Sequence, residues 1–150
     1  MSGSAAYLLR SEGLRENWEW VLDSSRRARG FVLYAALRSL GRSGVRSLVE
    51  RCCRLARRMA DRLAEADGVE VLNDVVLNQV LVRFTPADGG DADAHTREVI
   101  ARVQAGGIAW MGGTTWRGAA AMRISVSNWS TTEADADATV DAILRAAASG

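Results

Sequence analysis

The sequence contains no lysine. Every one of its 19 basic residues is arginine, so no side-chain amine is present to form an internal Schiff base with a carbonyl cofactor. Histidine is nearly as scarce, with His95 the single copy. His95 lies beside Asp91 and Asp93, but the convergent ligand set that a metal site needs is not supplied elsewhere. No nucleophile-elbow motif accompanies it, so a Ser-His-Asp set is equally unsupported. The two cysteines, Cys52 and Cys53, are adjacent within a helical pattern, where they are poorly placed to bridge each other. They read as packing residues in a reduced, cytoplasmic protein. No apolar run approaches the roughly 18 residues of a membrane helix, and no signal peptide opens the chain. Gly89-Gly90 and Gly112-Gly113 match no phosphate-binding loop and read as turns or bends.

What is present suits one domain: 150 residues, of which 48% are hydrophobic. The net charge is only +1, but it is unevenly spread. Residues 26–62 hold eleven arginines against Glu50 and Asp61, a local balance of +9, and the remainder sums to −8. Such a block can be a nucleic-acid surface or a solvated, partner-facing helix surface. Without stacking aromatics or a binding motif, the second reading is favoured.

Residues 1–24 carry an alternating aromatic stretch with Trp18, Trp20 and Leu22. This predicts a short strand or an extended strap covering another domain or subunit. A helix is expected from Ser24 or Ser25, capped by the serine and ended by Gly41. A second helix follows to about Glu65, with Val45, Leu48, Val49, Cys52, Leu55, Ala56, Met59 and Leu63 on its apolar stripe. After Asp67-Gly68 the period changes to two. Strands are expected at 69–71, 76–84, 108–116 with an interruption at Gly112-Gly113, and 121–127. One helix is expected from about Ala94 to Gly106, and another opens on a capping box, Ser130 to Glu133, burying Val140, Ile143, Leu144 and Ala147. The order predicts an α+β fold: long helices plus a small, mostly antiparallel sheet with helices on one face.

Arg123 stands out in this pattern. It lies mid-strand, with Met122, Ile124 and Val126 toward the core and Arg123, Ser125 and Ser127 on the other face. Arginine is uncommon there unless it reaches solvent or has a carboxylate partner, from protein or ligand, matching its planar fork. Arg117, beside Gly118, reads as a solvated turn residue.

Four segments taken together, RENWEWVLDSSRRARGFVLYAALRSLG, LVERCCRLARRMADRLAE, VEVLNDVVLNQVLVRF and the run from WMGGTTWRG through MRISVSNWSTTEAD, resemble the group II pyridoxal-phosphate-dependent amino-acid decarboxylases. That family includes the glutamate, aromatic-amino-acid and diaminobutyrate decarboxylases. The similarity covers nearly all of residues 5–145 in one register. It implies the C-terminal small domain of a fold type I enzyme, with residues 1–24 as a strap from the cofactor-domain side and 25–150 as the small domain. It also implies an amino-acid substrate, pyridoxal 5'-phosphate in the complete enzyme, a homodimer, and Arg123 as the residue that holds a substrate carboxylate. Arg26, Arg27 and Arg29 would lie at the domain junction. The family's histidine-lysine pair, its aspartate against the pyridinium nitrogen and its phosphate contacts precede this region, and none is matched here. The expectation is therefore a truncated gene product, a separately encoded part that needs a partner, or an excised piece, inactive alone. An aminotransferase of the same fold and a non-catalytic α+β interaction domain with a basic helix are the rival readings. No membrane partner is implied, and the basic block is weak ground for nucleic acid.

Overall fold

The computed structural model describes residues 27–149, and the elements follow in the order α1 (Arg29–Ala64), β1 (Val69–Val71), β2 (Gln79–Phe84), α2 (Ala92–Gly106), β3 (Gly112–Trp116), β4 (Ala119–Ser125) and α3 (Glu133–Ala148). The chain divides into two units, residues 1–41 and 42–150. The strap at Trp18 and Trp20 and the serine cap at Ser24 or Ser25 lie outside the described residues.

Within the first unit, residues 29–40 are helical and leave Phe31, Leu33, Tyr34 and Leu37 exposed. Gly41 then takes φ 62 and ψ −176, which is not helical. Positive φ suits glycine because no Cβ meets the following carbonyl oxygen. The glycine thus interrupts α1 where the sequence pattern places the end of the first helix.

In the second unit, residues 42–64 bury Cys52, Leu55, Ala56, Met59, Ala60 and Leu63, a three-four spacing that puts one stripe into the core. Val49, expected on that stripe, is half exposed. Cys52 is buried, Cys53 half-buried, and both are unbridged.

The sheet has the order β1-β2-β4-β3, and every pairing is antiparallel. Val80, Val82, Phe84, Met122 and Ile124 project from one face into a core shared with α1, α2 and α3. The architecture is α+β with helices on one face, as the pattern predicts. Two connections are fixed locally, one by a side chain and one by the lack of one. Asn73 Oδ1 accepts from Leu81 N at 2.7 Å, and its amide donates to Gln79 O at 3.2 Å. This side chain closes the loop before β2, so the strand starts at Gln79 instead of Val76, and Val76 is left exposed. Gly68 has φ 73, and a Cβ there would stand 2.7 Å from Thr85 O, so the turn after α1 admits only glycine without rearrangement.

Helix ends show the same local logic. Asp91 caps α2 by accepting from Asp93 N and Ala94 N, which moves its start to Ala92. Both backbone donors hold the Asp91 carboxyl below its ordinary range. α3 has a capping box, but its members are Thr132 and Asp135. Glu133 is the first helical residue, two positions before the N3 site from which a side chain reaches back, which corrects the expected pair.

Candidate functional site

β4 positions the residue of interest. Its core-facing members are Met122 and Ile124, so Arg123 and Ser125 point to the opposite face and are exposed. Ser127 is also exposed but lies beyond the strand. Register puts Leu81 of β2 and Gly112 of β3 on either side of Arg123. A Cβ built on Gly112 would stand 3.9 Å from Arg123 Nη2, so the guanidinium lies across β3 above that glycine.

A second arginine shares this face. Arg83 lies on the same face as Leu81 along β2, and its Nη2 lies 2.8 Å from Asp93 Oδ1. Asp93 also accepts from Ala120 N at 3.1 Å, so one carboxylate in the first turn of α2 ties that helix to both central strands. Beyond the backbone pairing of β4, the Arg123 guanidinium has no hydrogen-bond or ion-pair partner among the described residues. Two guanidinium groups on one sheet face thus have different environments: one is locked into the fold, and the other presents its donor fork outward. Such a fork can take a carboxylate through two parallel charge-assisted hydrogen bonds. The role of Asp93 was not legible beforehand, because its partners lie 10 and 27 positions away in the sequence.

The other singled-out residues fall elsewhere. Arg117 (φ 50) and Gly118 (φ 87) form the tight turn between β3 and β4, and the exposed Arg117 guanidinium sits 5.7 Å from the centre of the Trp116 ring. Arg27 and Arg29 are exposed, and Arg26 lies outside the described residues. His95 is buried on α2. Among the described residues, no group of three His, Cys, Asp or Glu side chains converges as metal ligands.

Four arginines of the basic block make internal contacts, whereas Arg38, Arg42, Arg46 and Arg54 are exposed. Arg58 makes a bidentate pair with Asp137 at 2.8 Å, and Arg62 reaches Asp137 at 3.1 Å and Asp141 at 2.8 Å, joining α1 to α3. Arg51 donates to Trp129 O and Arg57 to Val75 O. The hydrogen bond from Arg58, with Arg62 adding to it, holds the Asp137 carboxyl down at about 2, and the guanidinium groups of Arg58 and Arg62 are pushed up in return. These four arginines serve packing, so they are not free to form the nucleic-acid surface considered from sequence.

Comparison with known proteins agrees with this architecture. The family model described as the pyridoxal-dependent decarboxylase conserved domain matches residues 2–85. The chain belongs to that family. Tyrosine decarboxylase 2 of Arabidopsis thaliana is 27% identical over 110 residues, which is 72% of this chain and 20% of the relative. Among solved structures, Oryza sativa TDC with PLP and tryptamine superposes with a TM-score of 0.76 at 21% identity, over 85% of this chain and 28% of that one. The glutamate decarboxylase domain of a Vibrio parahaemolyticus transaminase and L-2,4-diaminobutyrate decarboxylase gives 0.72 at 21%, over 88% and 28%. At these identities the superpositions establish the fold. The chain spans about a fifth of the curated relative and under a third of these structures.

The family depends on a pyridoxal cofactor, and the residues present here do not fit its covalent attachment. A side-chain imine needs a lysine amine, and none of the 150 residues is lysine. Among the described residues no helix is long and apolar enough to cross a membrane.

Proposed function

We propose that this chain is the C-terminal small domain of a pyridoxal-phosphate-dependent L-amino-acid decarboxylase. It contributes Arg123 to the substrate pocket, and it contributes no covalent chemistry. The carrying observation is the outward guanidinium of Arg123, without a partner among the described residues, on the sheet face opposite the helices, in a chain that belongs to a decarboxylase family. A carboxylate docked there would be oriented by the fork while the reacting bond is handled by groups outside these residues. The matched family is one of decarboxylases, which favours that reaction over aminotransfer. Unbridged cysteines fit a reduced, cytoplasmic setting, and a homodimer with a lysine-bearing cofactor domain completes the reading.

Two measurements test this. Purified chain mixed with pyridoxal phosphate gives no imine absorbance that survives blocking of the N-terminal amine, and no carbon dioxide from amino acids. A stable visible band would overturn the division of labour. A chimera in which this chain replaces the matching segment of Arabidopsis tyrosine decarboxylase 2 then decarboxylates an aromatic amino acid. Arg123→Met lowers its kcat/KM by about thirtyfold or more, since losing one partner of a desolvated charge pair costs roughly 2–5 kcal/mol. Arg117→Met, at the exposed turn, is the control. Equal effects of the two substitutions would remove Arg123 from the pocket.

A further inference from the structure

We propose that Gly112 is the positioning residue for Arg123: the absence of a branched side chain there leaves the guanidinium free to cross β3 and face a substrate carboxylate. This rests on the carboxylate reading of Arg123 given above. The register is direct, with Gly112 on the edge strand opposite Arg123 on β4. Opposed side chains in an antiparallel pair stand about 4.5–5.5 Å apart at Cβ, close enough for one to dictate the other's path. Here the path is measurable, because a Cβ on Gly112 would meet Arg123 Nη2 at 3.9 Å and nothing else within 4 Å. Backbone strain does not require glycine at this position. Gly112 is not among the positive-φ glycines, unlike Gly118 in the adjoining turn. The neighbouring Gly113 faces the other way, its would-be Cβ 3.6 Å from Ile100 Cδ1. What distinguishes Gly112 is therefore the guanidinium above it.

The substitution series follows from those distances. A methyl group at 3.9 Å is in ordinary van der Waals contact, so Gly112→Ala leaves the guanidinium in place. Valine adds two γ-carbons about 1.5 Å beyond Cβ in staggered positions, which together leave little room for Nη2. The arginine is a flexible side chain without a described partner, so it swings aside at small cost to the fold. Valine is itself well suited to a strand. The domain should fold normally with its arginine misdirected.

In the chimera, Gly112→Ala should keep kcat/KM within about twofold. Gly112→Val should lower it by about thirtyfold, chiefly through KM, matching Arg123→Met. Gly112→Val combined with Arg123→Met should be no worse than Arg123→Met alone, since both remove one interaction. Thermal unfolding and pyridoxal absorbance should stay at wild-type values in all three, a split that a general packing defect would not give. If Arg123→Met is crippled and Gly112→Val is not, or if the two losses multiply, the positioning role is wrong and the carboxylate reading stands. If Arg123→Met is itself near wild type, both fall. Should the chimera fail to assemble, the full 150-residue chain decides by NMR. A nuclear Overhauser contact between the Gly112 α-protons and the Arg123 guanidinium protons supports the proposal, and its absence overturns it.

Discussion

Replacing Arg83 and Arg123 separately by methionine distinguishes a structural guanidinium from an unengaged one, and the magnitudes follow from their surroundings. Arg83 holds Asp93 at 2.8 Å, with the two side chains 26% and 28% exposed. Hydrogen bonds to charged groups contribute about 1.5–3 kcal/mol, whereas fully exposed ion pairs contribute about 0–1. A pair three-quarters covered falls between, at about 1–2 kcal/mol. Asp93 keeps its bond from Ala120 N, so the carboxylate is not stranded entirely. Methionine preserves most of the apolar stem, which limits the change to the lost head group. Arg123 has no such partner among the described residues, and its replacement should alter stability by less than about 0.5 kcal/mol. With m near 1.5 kcal/mol/M, urea unfolding followed by circular dichroism should show a midpoint about 1 M lower for Arg83→Met and unmoved for Arg123→Met. Equal destabilisation by both would mean that Arg123 is anchored in the fold, and its assignment to a substrate would lose its basis.

Two further outcomes test the packing. Thr96 is fully buried, and its hydroxyl accepts from Phe84 N at 3.0 Å and donates to Phe84 O at 3.2 Å. Thr96→Val, which keeps the shape, should therefore cost about 1–3 kcal/mol in chemical denaturation. A neutral result would show that solvent reaches the end of β2. Acid stability tests the α1–α3 clamp. Asp137 is held at about 2 by its hydrogen bond from Arg58, and Thr132 and the Ala94 amide hold Asp135 and Asp91 down as well. Carboxyls depressed in the folded state stabilise it above the unfolded value of about 3.9, and that contribution disappears as pH falls through their folded values. Stability should therefore drop between about pH 4 and pH 2, and Asp137→Asn should flatten that drop. An unchanged acid profile in Asp137→Asn would disprove the clamp.

Much of this fold was readable from periodicity and end signals. The stripe from Cys52 to Leu63 and the alternation of Met122, Ile124 and Val126 each follow from burial on one face, which leaves a repeat in the sequence. The α+β class, the break at Gly41 and the stop at Gly106-Gly107 followed from the same signals. The strand expected at 108–116 begins only at Gly112, and Gly112-Gly113, read as a turn or bend, pair with β4 as part of β3. Two other misplacements share a different cause. β2 begins at Gln79 because Asn73 organises the preceding loop, and α2 begins at Ala92 because Asp91 caps it. Both depend on one side chain meeting backbone donors at short range, which the alternation of apolar residues does not encode. The site divides in the same way. That Arg123 faces away from the core was legible, since its strand neighbours specify the face. That Arg83 is engaged by Asp93 and Arg123 is not required knowing which helix start lies beside β2.

The arginine content looks at first like one property of the chain, a compositional bias with a basic stretch at residues 26–62. The structure separates it into two kinds of work. Arg51, Arg57, Arg58 and Arg62 end on carbonyls and carboxylates of the same unit, where a guanidinium supplies several donors to groups on neighbouring elements. Those contacts satisfy backbone oxygens of the loops near residues 75 and 129 and hold α3 against α1. Arg123 alone combines a central strand, an outward direction and no described partner, with a glycine beneath its head group. A mid-sheet arginine with no partner among the described residues occupies a surface that a small polar residue could cover. Its placement is accounted for if the carboxylate it pairs with belongs to a substrate, and the contrast between Arg83→Met and Arg123→Met separates that explanation from an ordinary exposed side chain.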